Sequence, residues 1–213
     1  MEFTPRCKPV DLIMNGNFKG NYFICDQIEV NKGRIDIEEI SEDDITGGYL
    51  IEIDNRATKE KKYFKTDKGI IIEIKYPDSD DITENQENYI KQFMNILEKN
   101  VYNKNLTFID LNSFYKYFIT QEFCGDIDSV FSSFHCTKRK GIDKLYFGPV
   151  WDYDFSFDND KRLIPTNQKP KFVLYYGDSS GTCSDFIITL LNIKNVMNNI
   201  NETWNDVKEN GKF

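Results

Sequence analysis

The sequence predicts an α+β chain. Antiparallel strands occupy residues 1–77, and a mainly helical part over residues 78–213 carries acidic loops around a second hairpin. Three observations predict it. The stretch "VDLIMNGNFKGNYFICDQIEV" (10–30) alternates and places β-formers on both sides of Asn15-Gly16, a dipeptide suited to a tight hairpin turn. Two later stretches repeat their apolar residues at the helical period, each behind a capping residue. Between them and a third helical region, strand formers are flanked by pairs of aspartates.

Along the chain, "GGYLIEID" (47–54) and "GIIIEIKYP" (69–77) read as strands, the second stopped by Pro77. With the hairpin they are expected to form one antiparallel sheet over the first 77 residues. Residues 83–102 read as a helix: Thr83 and Gln86 make a capping box, and Tyr89, Ile90, Phe93, Leu97 and Val101 form its apolar stripe. Residues 110–125 read as a second helix, with Asp110 as N-cap, a stripe of Leu111, Phe114, Tyr115, Phe118 and Ile119, and Gly125 as stop. A loop, a strand near 130–138, a turn at 139–143 and a strand at 144–147 follow, then an irregular stretch over 155–182. Residues 184–211 read as one helical region opening on Ser184, with an Asn-rich end that frays or breaks.

A chain of 213 residues with 39% hydrophobic and 15% aromatic residues buries a real core, which excludes a disordered composition. A net charge of -8 and a pI of 4.8 argue against a nucleic-acid surface, which needs excess Lys and Arg, and against docking to an anionic membrane. No apolar run is long enough for a membrane span, and residues 1–30 lack a signal-peptide pattern. The apolar content starts abruptly at Val10, as in a chain cut from something longer. Five cysteines, none in CxxC, and a single His make a Cys/His zinc site a poor reading. An odd count leaves at least one thiol unpaired, with the pairing of the others and the compartment open.

Asp126 and Asp128 follow the second helix, and Asp152 and Asp154 follow the hairpin. A hairpin returns the chain close to its start, so the two pairs should converge. Phosphoryl transfer uses such a layout: one carboxylate orients or deprotonates the attacking hydroxyl, and others hold a divalent ion that bridges phosphates. Here Asp128 takes the catalytic position, Ser133 the middle one, and Asp152 with Asp154 the metal position, for Mg2+ or Mn2+ bound through hard oxygen ligands. The plainer reading is two solvated acidic loops. Lys75 at a strand end either meets a nucleotide phosphate or is solvated. Asp126 caps the turn or accepts from backbone amides, and Glu122, one turn before the loop, has a supporting position. Asn159, between Asp158 and Asp160, extends the metal site or forms a surface turn. Ser113 and His135 read as structural, and Trp151 as a core anchor beside the loop.

At these residues the chain resembles the CotH kinase family, named for a spore-coat protein. The blocks "VDLIMNGNFKGNYFICDQIEV", "GGYLIEID", "IDLNSFYKYFITQEFCGDIDSVFSSFHC" and "LYFGPVWDYDFSFDND", within residues 8–160, are similar to family motifs. The last resembles G-P-[VI]-W-D-[FL]-D. The resemblance implies an atypical protein-kinase-like fold and transfer of the ATP γ-phosphoryl to protein Ser or Thr with Mg2+. It also implies a secreted, spore-coat or surface-associated setting with a protein substrate or assembly partner. Asp128 resembles the catalytic-loop Asp, Asp152 the metal-binding Asp, and Asp154 the second acid of the W-D-x-D motif. Three departures stand against it: Asp126 replaces an Asn of the family pattern, Ser133 stands where typical kinases place a metal-side Asn, and the family's N-terminal R-G-N-x-S block is absent. No Gly-rich loop or VAIK-like Lys is visible, so an inactive chain is one expectation. The alternative to a kinase is therefore a non-catalytic relative, a pseudokinase serving as a binding or structural module. A metal-dependent hydrolase using the same acids is a third reading.

Overall fold

The computed structural model describes residues 3–41, 44–59, 62–126, 128–157, 159, 174 and 182–211. Strands β1 (Cys7–Met14) and β2 (Asn17–Cys25) form the expected hairpin. Asn15 and Gly16 take φ of 52° and 76°, the positive values that a two-residue turn of this hand requires.

The rest of the sheet expectation needs correcting. The hairpin is a separate two-stranded sheet, and β3 (Tyr49–Ile53) is not paired with it. Both edges of β3 are already taken, one by β5 (Ile71–Tyr76) and the other by β6 (Phe134–Lys138). Strands β4 (Tyr63–Lys65) and β7 (Leu145–Phe147) complete an antiparallel sheet of order β4-β5-β3-β6-β7. The sheet thus takes strands from both sides of residue 77. Strand β4 is only 3 residues long, too short to show a period of two.

The two faces of the sheet differ. Tyr49, Ile51 and Ile53 of β3, Ile72 and Ile74 of β5, and Phe134 and Cys136 of β6 join the main core. Leu50 belongs to a small second cluster with Ile35 and Ile37. By strand alternation Glu52, Glu73, Lys75 and His135 share the face of Leu50. Helix α1 (Glu84–Tyr102) opens on the Thr83–Gln86 capping box and buries Ile90, Phe93, Leu97 and Val101. Helix α2 (Leu111–Cys124) opens with the Asp110 carboxylate accepting from the Ser113 amide and ends at Gly125, φ 64°. It packs on the sheet through Tyr117 stacked on Phe134 (4.7 Å) and Phe114 against Phe147 (5.0 Å). The Ser113 hydroxyl accepts from the Phe147 amide at 3.0 Å, so Ser113 joins helix to sheet.

The third helical region is two helices, α3 (Thr182–Leu191) and α4 (Val196–Asn210). The break falls at 192–195, where the Asn-rich stretch begins and Asn195 takes φ 72°. Ser184 lies inside α3 and does not cap it. The strand near 130–138 begins at Phe134, because residues before it form a turn in which the Phe131 and Ser132 amides donate to the Asp128 carbonyl. Trp151 is half-buried; it is Val150, 5% exposed, that reaches the core.

Gly47 and Gly48 allow β3 to start where two other segments cross it. A Cβ at Gly48, φ 53°, would stand 1.8 Å from the Glu38 carbonyl oxygen, and one at Gly47 would stand 2.3 Å from the Arg139 carbonyl carbon. Backbone cannot yield as a side-chain tip can. Gly48→Ala is expected to cost about 3 kcal/mol, read as a lower urea midpoint at unchanged slope.

Candidate functional site

Past the Gly125 stop the chain makes one tight turn. The Asp126 amide donates to the Gln121 carbonyl, closing the helix end. The Asp126 carboxylate is buried and accepts from the Asp128 amide at 3.3 Å. The Ser129 hydroxyl donates to the Asp126 carbonyl at 2.8 Å. This turn presents Asp128, whose Oδ2 accepts from the Ser132 hydroxyl at 2.9 Å and lies 3.4 Å from Arg56 Nη2. Arg56 comes from the turn leaving β3, where its amide donates to Asp54 Oδ1 at 2.7 Å. The Asn55 amide donates to the Phe131 carbonyl, which joins the two turns.

Ser133, φ 59°, links the two acidic loops. Its amide donates to Glu52 Oε1 at 3.1 Å, and its hydroxyl reaches Asp152 Oδ2 at 3.5 Å. Asp152 takes φ 65°, a left-handed conformation that outside Gly is reached mainly by Asn, Asp and His, immediately before the 3₁₀ turn Tyr153–Phe155. The hairpin of β6 and β7 therefore brings the Asp152 loop back to the Asp128 turn.

The charges feel one another. Burial pushes the Asp126 carboxyl up to about 7, and Asp128, Asp152 and Asp154 add to the push against the amide bond from Asp128. Asp152 is also raised, by burial first, then by Asp154 and Asp128, while Ser133 and Arg56 pull it down. Arg56 is a cation that the fold brings to this cluster. Among the described residues no three His, Cys, Asp or Glu side chains are grouped as a metal cage. Mg2+ commonly binds through one or two carboxylates plus substrate phosphates, with no protein cage. Asp152, Asp154 and the Ser133 hydroxyl offer hard oxygens in a place where negative charge is in excess, so the residues fit a divalent ion.

The other sequence-predicted residues fall around this point. Lys75 Nζ lies 3.4 Å from Glu52 Oε2 and 3.0 Å from Glu73 Oε1. Burial lowers its pKa, yet Glu73 and Glu52 outweigh burial and hold it above the ordinary lysine value. It reaches Asp152 only through Glu52 and Ser133. Glu122 Oε1 accepts from the Leu174 amide at 2.8 Å, tying α2 to a later segment. The Asn159 side chain donates to the Asp154 carbonyl at 2.6 Å and so props the loop that carries Asp154. Asp158 and Asp160 lie outside the described residues. His135 sits beneath Ser133: its Nδ1 is 3.2 Å from the Ser133 carbonyl and its Nε2 is 3.6 Å from Glu52. A cavity of about 460 Å³ opens beside the start of α2, near Arg34, Asn112, Lys116 and Arg139, and none of the four aspartates lines it.

Sequence reasoning passed over Arg56, Ser132 and Glu52. Glu52 had a visible signal: it is the one acid in an otherwise apolar strand, "YLIEI". Arg56 had none, because only the β3–β6 pairing shows that the turn after β3 meets the turn before β6.

The family model described as CotH kinase protein matches residues 1–211. The chain belongs to the CotH kinase family. No curated protein and no solved structure matches it. Membership makes this a kinase-family domain, a class that in general uses a nucleotide and a divalent metal. Its mixture of antiparallel sheets and helices accords with that family.

Two buried groups of this CotH domain give opposite pH dependences. Asp126 is raised in the fold, so the fold takes up a proton that the unfolded chain lacks, and stability rises as pH falls from about 7 toward 3.8. Burial lowers His135 to about 4 from 6.5, so the unfolded chain takes up the extra proton, and stability falls across that window. In a chelator, Asp126→Asn should be more stable than wild type at pH 8 and should lose stability from pH 6.5 to 4 at about 1 kcal/mol per pH unit. His135→Asn should gain over the same window. Urea midpoints at five pH values check both signs.

Proposed function

We propose that this CotH domain transfers the γ-phosphoryl of ATP to a Ser or Thr of another protein, with Mg2+ or Mn2+ held by Asp152 and Asp154 beside Ser133. The observation that carries the reading is the Ser133–Asp152 hydrogen bond, which joins the two acidic loops next to Asp128. Asp128 would accept the proton of the acceptor hydroxyl as its oxygen attacks the γ-phosphorus and ADP leaves. The Ser132 hydroxyl and Arg56 hold that carboxylate, while the Phe131 and Ser132 amides hold the Asp128 carbonyl. A divalent ion, when bound, supplies charge neutralisation at the phosphates. Lys75 acts at one remove, by holding Glu52 against the Ser133 amide. The family resemblance supports placing the protein in a secreted or surface-associated setting, with a protein as substrate or assembly partner.

A second reading has its own observation. Arg56 and Ser132 both engage Asp128 Oδ2, and Asp126 adds a carboxylate where the family pattern has Asn. A domain that keeps the fold and binds without transferring would tolerate both.

Thermal shift with Mg2+-ATP and phosphoryl transfer from γ-labelled ATP separate the readings. Wild type should gain about 2.7 kcal/mol at nucleotide 100 times Kd, and Asp152→Asn should lose that gain. Asp128→Asn should bind as wild type and transfer about 10²–10⁴-fold more slowly. Binding without transfer by wild type supports the non-catalytic module. Equal transfer by Asp128→Asn removes that residue from the base position.

A further inference from the structure

The β1–β2 ribbon has little packing around it. Nearly all of its residues are exposed, and among the described residues no third strand pairs with it. A lone two-stranded ribbon is marginal in water. Its open end, however, carries a specific arrangement. Cys7 and Cys25 are register partners across the two strands. One residue outward the Asp26 amide donates to the Arg6 carbonyl at 2.9 Å, and the Arg6 guanidinium meets Asp26 at 2.8 Å. Since the 6–26 pair is hydrogen-bonded, the 7–25 pair is the narrow, non-hydrogen-bonded kind, with its side chains on one face. Cα atoms in such pairs lie about 4.5 Å apart, within the about 4.4–6.8 Å that disulfides span.

We propose that Cys7 and Cys25 are a dithiol built to close as a disulfide that staples the open end of this ribbon. Cys7 lies near enough to push Cys25 ionisation up, ahead of burial. Both are exposed to an oxidant, whereas Cys136 and Cys183 are buried and held protonated by that burial. The half-buried Cys124 is raised as well, by burial and then by Asp126. The oxidant is a low-mass disulfide. One of the two cysteine thiolates attacks one of its sulfurs and expels one thiolate. The thiolate of the other cysteine then attacks the cysteine sulfur of the mixed disulfide and expels the second. Two protons leave the cysteines, and their two electrons reduce the small disulfide to two thiols.

The test uses the full chain in native buffer with oxidised glutathione, then N-ethylmaleimide, digestion and mass spectrometry. The expected product is a Cys7–Cys25 link, with Cys124 in no link and Cys136 and Cys183 alkylated only after unfolding. Amide exchange across β1 and β2 should slow about tenfold in the linked form and return on reduction. Cys7→Ser and Cys25→Ser, at exposed positions, should each stop at a stable mixed disulfide on the remaining thiol. Separate glutathione adducts on Cys7 and Cys25 of wild type, a link to any other cysteine, or a link that leaves exchange unchanged would each overturn the proposal.

Discussion

The pairing of β3 with β6 is the constraint on which the rest of the molecule depends. It joins Glu52 to His135 in register and Ile51 to Cys136, so the chain before α1 and the chain after α2 become one sheet. Everything at the candidate site follows from that closure. Ser133 can reach Glu52 only because β6 enters beside β3, and Arg56 can reach Asp128 only because the turn leaving β3 lies against the turn entering β6. The next pairing, β6 with β7, then returns Asp152 to Ser133. The core face enforces both. Phe134 and Phe147 pack on the aromatic side of α2, Tyr49 stacks on Tyr89 of α1, and a shift of one residue would turn that face to water.

With the backbone set this way, the molecule faces an electrostatic problem. The neighbouring aspartates add to the burial that raises Asp126 and Asp152, and Arg56 offsets only part of it at Asp152. Stability alone would favour amides at some of these positions. The fold instead spends backbone strain at Ser133 and Asp152, both at positive φ, to hold the oxygens together. A cation would relieve the repulsion. The opposite face of the sheet carries its own partial compensation: Lys75 is shared between Glu52 and Glu73, and its one charge offsets part of theirs.

How much of this was legible in the sequence divides by range. Local signals were strong. Asn15-Gly16, the Thr83–Gln86 box, the Asp110 cap and the Gly125 stop each depend on neighbours within a few residues, and each is where the pattern placed it. The meeting of the Asp128 and Asp152 loops was also legible, because a hairpin must return to its start. Long-range pairing was not. The alternation of β1 and β2 looks the same whether or not a third strand joins them, which is why the hairpin seemed part of one sheet. Arg56 carried no local mark, since its role comes from a partner 72 residues away. The Asn-rich stretch marked a break, but not its place at Asn195, since one residue at positive φ leaves no trace in periodicity.

The account stands on the Asp128 turn and the Asp152 loop serving one ion and one nucleotide. Crystals of the protein grown with Mn2+ and a non-hydrolysable ATP analogue, measured at the manganese absorption edge, test it most directly. The account predicts an anomalous peak at the Asp152 carboxylate, beside Asp154 and Ser133, with the terminal phosphate of the analogue facing Asp128. Manganese and nucleotide bound elsewhere at full occupancy, with the four aspartates bare, would contradict it.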